Sequence, residues 1–213
     1  MQAQPRARSL EKWGVTYLIP VIDTPRLRLR GITSADIPAI LSLHDRPDAM
    51  RWLGADPLRT PEEAQAFVDF IASGWALPIP DVRWAIERRD APGLIGTCGF
   101  RQWDTTARHA QVGYELHWEH RGRGYMDEAL AALLRWSFAR MELHRVNAMV
   151  HPDNLPSRRV LQRHGFQCEG LMRHAGFWHG RHHDLLVFGL LKGEFAAAEV
   201  PPQAAAEPEL QVA

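Results

Sequence analysis

The chain has few cysteines, no excess of charge and no long apolar run. Its 213 residues include only two cysteines, Cys98 and Cys168, and each lies in an apolar stretch that predicts a β-strand. Two cysteines in such settings favour buried, reduced thiols over a disulfide framework, as is typical of a cytosolic protein. We therefore expect a cytoplasmic protein without structural disulfides.

The charge balance and the hydropathy pattern exclude further classes. Lys and Arg together total 25, as do Asp and Glu, so the formal net charge is zero. No global field recruits nucleic acid or an anionic membrane, and a nucleic-acid-binding module is therefore only a third choice. No stretch approaches the roughly 18 apolar residues of a membrane span, and the first residues do not resemble a secretory signal.

The chain divides into three predicted parts. Its length suits a single domain with one core, which we place at residues 21–195. An N-terminal arm at 1–20 has no sustained periodicity. The tail at 196–213 has low complexity and little to bury, so we expect it to be mobile or loosely docked.

Seven segments of the domain have the pattern of β-strands. They are 24–30, 83–87, 94–103, 109–118, 145–150, 166–173 and 184–191. The first alternates strictly, so that Leu27 and Leu29 share one face and the arginines form the solvated face. Short turns join the segments from 83 to 118, which predicts an antiparallel meander. A polar loop rich in His and Gly is expected between the last two strands.

Four helices are predicted between these strands. Their N-terminal residues are Thr33, Thr60, Gly124 and Asn154. The third helix is the longest and joins 109–118 to 145–150, which should therefore lie parallel in a βαβ unit. The fourth should end with Gly165 in a left-handed conformation. The order β-α-α-β-β-β-α-β-α-β-β predicts a mixed α/β sheet.

The turn Arg121-Gly122-Arg123-Gly124-Tyr125 carries the strongest chemical signal. It joins strand 109–118 to the longest helix, where the backbone N–H groups of a glycine turn and the helix dipole together favour an anion. The two arginines add cationic donors for phosphate oxygens. An ordinary tight turn is the alternative, and the position between a strand and a helix favours the phosphate site.

The order of the elements and three motifs together resemble the GNAT superfamily of N-acetyltransferases, most closely the Rim-type branch, which acetylates the N-termini of ribosomal proteins. The motifs are TPRLRLR, VGYELHWEHRGRGYMDEAL and NLPSRRVLQRHGF. With the closing strand they span residues 24–192 in the right order. The resemblance implies a single GNAT-like domain that moves an acetyl group from acetyl-CoA to a primary amine by direct attack, with no metal.

The resemblance also implies where acetyl-CoA binds. In this family the glycine-rich turn holds the CoA pyrophosphate through backbone amides, and the pantetheine arm pairs with the preceding strand. An Asn-x-x-Ser motif contacts the cofactor near its thioester. The cofactor-binding residues implied here are Leu116, His117, Trp118, Arg121, Gly122, Arg123, Gly124, Tyr125, Met126, Asn154 and Ser157. Glu119 departs from the family pattern, which has Gln or Arg three residues before the first glycine.

The catalytic residues we predict are Glu115 and Ser157. Attack of an amine on a thioester needs a neutral amine, a donor for the oxyanion and an acid for the thiolate. Ser157 is expected to assist the thiolate, with a purely structural serine as an equal alternative, while a strand N–H near Leu116 stabilises the oxyanion. Glu115 is the predicted base, directly or through water. It is equally able to pair with an arginine, and His117 and His151 are rivals.

Two other reactive groups are assigned structural or lining roles. Cys98 would permit an acyl-cysteine, but its apolar neighbours favour a buried thiol. A group of four histidines has no zinc-site spacing, so we expect a loop that lines the acceptor entrance. These are His174, His179, His182 and His183.

The acceptor and the assembly state stay open. A protein N-terminus and a small amine are both compatible with the sequence. In this family the acceptor is chosen by the first two helices and the last loop. Here these contain several histidines and Asp45, Asp48, Asp56, Trp52, Trp75 and Trp178. Such residues suit a cationic amine, and scattered surface charges with core tryptophans explain the same set equally. A non-catalytic acyl-CoA sensor is the alternative function, and a homodimer is the commonest oligomer to expect.

Overall fold

The computed structural model describes residues 19–46, 51–52, 54–74 and 80–199, with side chains up to residue 195. Most of the predicted arm and of the predicted tail lies outside the described residues, as do Asp48 and Trp75. At the start of the described chain, Ile19 packs against the core. The Pro20 carbonyl accepts a hydrogen bond of 2.8 Å from the indole of Trp84.

An eight-stranded mixed sheet forms the centre of the domain. The strands are β1 (Ile22–Asp23), β2 (Leu27–Gly31), β3 (Val82–Arg88), β4 (Leu94–Asp104), β5 (His109–Leu116), β6 (Arg145–Val150), β7 (Gln167–Trp178) and β8 (Arg181–Leu191). Their order across the sheet is β1-β2-β3-β4-β5-β6-β8-β7. Among these described strands only β5 and β6 pair in parallel, which confirms the predicted βαβ unit.

Within the residues that the structure describes, five α-helices flank the sheet. They are α1 (Ile37–Leu43), α2 (Pro61–Ser73), α3 (Tyr125–Arg140), α4 (Leu155–Arg163) and α5 (Lys192–Glu199). The predicted caps are confirmed: Thr60 and Glu63 form a capping box, and the Asn154 side chain accepts the N–H of Ser157. Gly165 has a φ of +82° after α4. Helix α5 was not predicted.

Two apolar clusters lie on opposite faces of the sheet. Residues 84 and 86 of β3 pack in the cluster that contains α3, whereas Ala85 packs in the cluster that contains α1 and α2. Side chains alternate along a strand, so α1 and α2 cover one face and α3 the other. Leu27 and Leu29 are fully buried in the α3 cluster, as the alternating pattern predicts.

Strands β5 and β6 separate soon after they begin. Their pairing covers only residues 109–111 of β5 and 145–147 of β6, although β5 continues to Leu116 and β6 to Val150. The other edge of β6 stays paired with β8 along its whole length. The separation therefore opens a wedge-shaped cleft in the middle of the sheet, facing the N-terminus of α4.

The C-terminal hairpin corrects two predictions. The expected His- and Gly-rich loop is instead a continuous β7–β8 hairpin that turns at His179 and Gly180. Both have positive φ, of +50° and +71°, as a tight two-residue hairpin turn requires. Cys168, predicted to be buried, is exposed, because β7 is the edge strand and most of its residues face solvent. Within the described ranges, no helix combines the length and hydropathy needed to cross a bilayer.

Candidate active site

The turn before α3 presents an open backbone surface. Residues 121–124 are exposed, and Gly122 and Gly124 both have a φ of +75°, which favours glycine. A Cβ added at Gly122 would meet nothing within 4 Å. Gly124 is the N-cap of α3 and supplies no capping side chain. This terminus therefore offers its first N–H groups and its dipole to an external anion.

The carboxylates of the first turn of α3 do not compete for that anion site. Asp127 accepts hydrogen bonds of 2.8 Å from Arg163, and Glu128 is paired with Arg26 at 2.5 Å. The Arg26 guanidinium also donates to the Arg123 carbonyl at 3.0 Å and lies over the Tyr125 ring. Strand alternation alone predicts a solvated Arg26, whereas in the structure Arg26 supports the turn.

The backbone of β5 presents alternate groups to the cleft. The N–H of His117 donates to the Ile95 carbonyl at 2.8 Å, on the β4 side. By alternation, the N–H and C=O groups of Leu116 and Tyr114 face the opposite edge. There the Leu116 carbonyl already accepts from Arg121 Nε at 3.0 Å. Of the three predicted main-chain contacts, Leu116 faces the cleft, the N–H of His117 does not, and Trp118 lies in a 3₁₀ turn beyond the strand.

The cleft between β5 and β6 contains a cavity of about 100 Å³. Both predicted members of the Asn-x-x-Ser motif line it, together with Tyr114 of β5 and residues 148–150 of β6. The Ser157 hydroxyl lies 2.9 Å from the Tyr114 hydroxyl. Burial raises the pKa of Tyr114 to about 12, so this phenol keeps its proton at neutral pH. Ser157 is thus hydrogen-bonded to the half-buried side chain of Tyr114 and also lies in the first turn of α4.

A second cavity, of about 230 Å³, lies on the sheet face covered by α1 and α2. Glu115 lines it, as do the aromatic side chains of Phe67 and Phe70. Arg83, Arg101 and Gly113 line both this cavity and the cleft. The two cavities therefore adjoin at these residues, and a group in one can reach a group in the other.

Glu115 is held in a network of donors. Its carboxylate accepts from Thr97 Oγ1 at 2.7 Å, contacts Arg83 Nη1 at 3.5 Å and contacts His44 Nε2 at 3.1 Å. Burial alone raises the pKa of Glu115, but the bond from His44 and the charge of Arg83 outweigh it and hold that pKa below its ordinary value. Glu115 is therefore an ionised carboxylate, and the predicted pairing with an arginine is present.

The neighbouring histidines have fixed proton positions. The N–H of Leu58 donates to His44 Nδ1 at 3.2 Å, so Nε2 carries the His44 proton and donates to Glu115. The N–H of Asp153 likewise donates to His151 Nδ1 at 3.1 Å. Burial lowers the pKa of His151, and nearby positive charges reinforce the effect. The other rival base, His117, has its Nε2 3.2 Å from Ser42 Oγ.

The predicted histidine group is divided by the hairpin. His183 is buried and stacks on Trp178 at 3.7 Å between ring centroids, whereas His174 and His182 stack together on the exposed part. His179 N–H donates to Asp56 at 3.0 Å, which ties the hairpin to the segment before α2. Among the described residues, no three His, Cys, Asp or Glu side chains are placed to hold a metal.

Cys98 is fully buried in the sheet. Burial raises the pKa of its thiol to about 12. A thiol with such a pKa is almost entirely protonated at neutral pH and is a poor nucleophile. The site therefore favours direct transfer over an acyl-cysteine.

Comparison with known proteins agrees with this geometry. A family model described as an acetyltransferase (GNAT) domain matches residues 26–167. The chain is 33% identical to the uncharacterized N-acetyltransferase YoaA of Bacillus subtilis, over 82% of this chain and 98% of that protein. It is 32% identical to the ribosomal-protein-serine acetyltransferase of Escherichia coli, over 45% of this chain and 53% of that protein.

A solved structure shares the fold. An acetyltransferase from Salmonella typhimurium, described as modifying the N-terminal serine of ribosomal protein L7/L12, superposes with a TM-score of 0.72 at 23% identity, covering 81% of this chain and 99% of that one. The fold and the site define an acyltransferase of the acetyl-CoA-dependent type. The chain belongs to the GNAT acetyltransferase family and is an N-acetyltransferase.

Proposed function

We propose that the protein acetylates the N-terminal amine of a protein or peptide. The CoA diphosphate would be held by the turn at 121–126, and the acceptor would enter the cavity under α1 and α2. The observation that supports this most is the adjoining of two cavities at Gly113. One of them is lined by Asn154 and Ser157 and the other by Phe67 and Phe70 of α2, so a donor in the first cavity can meet an acceptor in the second.

The residues present fit the cofactor. The turn is exposed, its glycines have the positive φ that directs successive N–H groups outward, and the carboxylates beside it are neutralised by Arg26 and Arg163. The free edge of β5 offers main-chain groups of Tyr114 and Leu116 to an extended arm. Acetyl-CoA supplies the activated acetyl group, and the chain supplies binding, orientation and proton movement.

The general acid in this proposal is Ser157. Its hydroxyl lines the cleft and lies within hydrogen-bond distance of Tyr114. A proton given up by Ser157 Oγ to a departing thiolate can be replaced from Tyr114 Oη. The Asn154 side-chain oxygen Oδ1 accepts a hydrogen bond from the N–H of Ser157, which fixes the start of α4 and leaves the Asn154 side-chain nitrogen able to donate to the cofactor.

The proton acceptor of the site is Glu115, acting through water. Its carboxylate is ionised, so it can orient and polarise a water toward the acceptor amine while His44, Thr97 and Arg83 hold its position. Because its pKa is low, it is a weak base. Loss of the acceptor's proton to solvent before binding therefore sets most of the pH dependence.

The acceptor assignment draws on the relatives. The Escherichia coli relative is by its name an acetyltransferase of a serine in a ribosomal protein, and it is 32% identical over 95 residues. The second cavity is open to solvent and is lined by aromatic and aliphatic side chains beside its charged groups, which suits a peptide end. A small amine is the second candidate, since the cavity is of modest size. A homodimer and a cytoplasmic location stay predictions.

The test is thiol release from acetyl-CoA with a panel of acceptors. The proposal predicts turnover with unblocked peptides and none with the same peptides acetylated at the N-terminus. Turnover confined to polyamines, amino sugars or other small amines would contradict the N-terminal acceptor. Binding of acetyl-CoA without turnover on any acceptor would favour the sensor alternative.

A further inference from the structure

Two glycines form a floor without side chains at the meeting point of the cavities. Arg83 of β3 pairs in register with Gly99 of β4, and Gly99 pairs with Gly113 of β5. A Cβ at Gly99 would lie 2.1 Å from the Val82 carbonyl oxygen, so only glycine fits there. The Arg83 side chain lies across this floor, with Nη2 3.4 Å from where a Gly113 Cβ would be.

A second arginine borders the same floor. Arg101 of β4 pairs in register with Gln111 of β5. With the Gln111 amide oriented to satisfy its neighbours, its oxygen accepts from Arg101 Nη2 at 2.8 Å. The Arg83 side chain thus lies over the floor formed by Gly99 and Gly113, Arg101 lies beside it at Gln111, and both side chains line both cavities.

Arg83 has a nearby carboxylate partner, whereas Arg101 has none within the part of the chain that the structure describes. Arg83 has a carboxylate partner in Glu115 at 3.5 Å. Arg101 has no carboxylate within 4 Å among the described residues. Asp81 lies in the same cavity and acts on Arg101 at longer range, while its carboxylate accepts the N–H of Gln102 at 3.0 Å. Burial and the neighbouring positive charge of Arg83 lower the pKa of Arg101, against the opposing effect of Asp81.

The cleft side of the floor is also cationic. The described residues that line the cleft include Arg83 and Arg101 but no Asp or Glu. Arg101 is an exposed residue of β4, so an anion from solvent can reach it. Two neighbouring guanidinium groups repel each other, and an anion between them removes that repulsion while gaining charge-assisted hydrogen bonds. Carboxylates match the planar fork of arginine and bind it in a bidentate manner.

We propose that Arg83 and Arg101 bind a carboxylate of the acceptor, so that the enzyme prefers amines that carry an acidic group close to the reacting nitrogen. This rests on the proposed function, because it assigns the second cavity to the acceptor. The acidic and aromatic residues of the sequence suggested a cationic acceptor, whereas these two arginines favour an acceptor that carries a negative charge. An acidic residue at the N-terminus of a peptide and the α-carboxylate of a free amino acid present the same chemistry.

The experiment compares acceptors with and without the acid, and rates are expressed per neutral amine because the carboxylate also raises the pKa of the nearby amine. The pairs are Ser-Asp against Ser-Asn at the start of one peptide, and serine against serinamide. The measurement is kcat/KM for thiol release with wild type, Arg101→Gln and Arg101→Lys. We expect wild type to prefer the acidic member of at least one pair by about 10- to 100-fold. Arg101→Gln should abolish that preference, and Arg101→Lys should keep part of it.

The control is Arg28→Gln. Arg28 lies on β2 and pairs with Asp23 at 2.9 Å, and it does not line either cavity. This variant should keep the full preference. Preference in the peptide pair identifies a side-chain carboxylate, and preference in the amino-acid pair identifies an α-carboxylate; either supports the inference.

Three outcomes would overturn it. Equal rates with acidic and amide acceptors would reject the inference and leave the proposed function intact. An equal loss for both members of a pair in Arg101→Gln would assign Arg101 to a step common to all acceptors. Thiol release with none of the four acceptors would reject the inference and the proposed acceptor class together.

Discussion

The hydroxyl oxygens of Tyr114 and Ser157 lie 2.9 Å apart, one on β5 and the other at the start of α4. These two elements border the cleft in which the acetyl donor is proposed to bind. Because burial raises the pKa of Tyr114 to about 12, this phenol holds its proton at neutral pH and can donate to Ser157. We propose that together they form a short proton relay that ends at the cleft.

Removal of the Ser157 hydroxyl should lower kcat by about 100-fold, the usual contribution of a general acid. Tyr114→Phe should cause a smaller loss, because the phenol acts through Ser157. The double variant should be no slower than Ser157→Ala alone, since the two groups act in series. Steady-state kinetics measure all three, and additive losses would contradict the relay. Ser137→Ala, at a buried serine bonded within α3, is the control.

Gly122→Ala should weaken CoA binding by about 10-fold or more, through the loss of a backbone contact to a charged phosphate. Gly180→Ala is a matched control, because both glycines have similar positive φ and open space where a Cβ would lie. Each substitution should cost roughly 1 kcal/mol of stability from the left-handed backbone. Calorimetric titration separates the two effects. Similar CoA affinities in both variants would remove the turn from the binding site.

The pH dependence of kcat/KM should follow the acceptor amine. The pKa of Glu115 lies below its ordinary value, so this carboxylate is ionised across the working range. A peptide α-amine has a pKa of about 8, so activity should rise toward that pH and level off above it. Glu115→Gln should lower the plateau without moving the midpoint or weakening CoA binding. A midpoint that moves in Glu115→Gln would show that Glu115 itself titrates there.

The domain should lose stability on mild acidification. Burial is the leading cause of the lowered pKa of His120, His151 and His164. Below about pH 6.5 these histidines therefore bind protons more readily in the unfolded chain than in the folded domain. The free energy of unfolding should decrease as the pH is lowered below that value. Carboxylates with lowered pKa, such as Asp36 and Glu128, lose their contribution only below about pH 4.

Calorimetry at pH 7.5 and 5.5 measures this effect. His164→Gln should reduce the fall in Tm between the two pH values, because His164 Nε2 is buried without a hydrogen bond to any described residue. A Tm that is unchanged or higher at pH 5.5 would contradict the prediction.

Local sequence signals predicted much of the fold. The capping residues Thr60 and Asn154 placed two helix starts correctly, because a cap acts within a few residues of itself. The pattern of Leu27 and Leu29 predicted which face of the first strand is buried. The βαβ unit followed from the length of the connection between β5 and β6.

The remaining features depend on contacts between distant segments. The Tyr114–Ser157 bond and the Arg26 support of the turn join residues 43 and 97 positions apart, so no local pattern encodes them. The polar residues around His179 and Gly180 predict a loop. The structure has a hairpin there because both residues adopt a positive φ, which a two-residue hairpin turn requires. Cys168 follows an apolar strand pattern, and only its edge position exposes it.

The most direct measurement compares CoA with pantetheine in calorimetric titrations of the wild-type protein. If the exposed turn before α3 holds the diphosphate, CoA should bind at least about 100-fold more tightly than pantetheine, which lacks the phosphates, and added salt should narrow the difference. Equal affinity for the two ligands, or no detectable binding of CoA, would contradict the account.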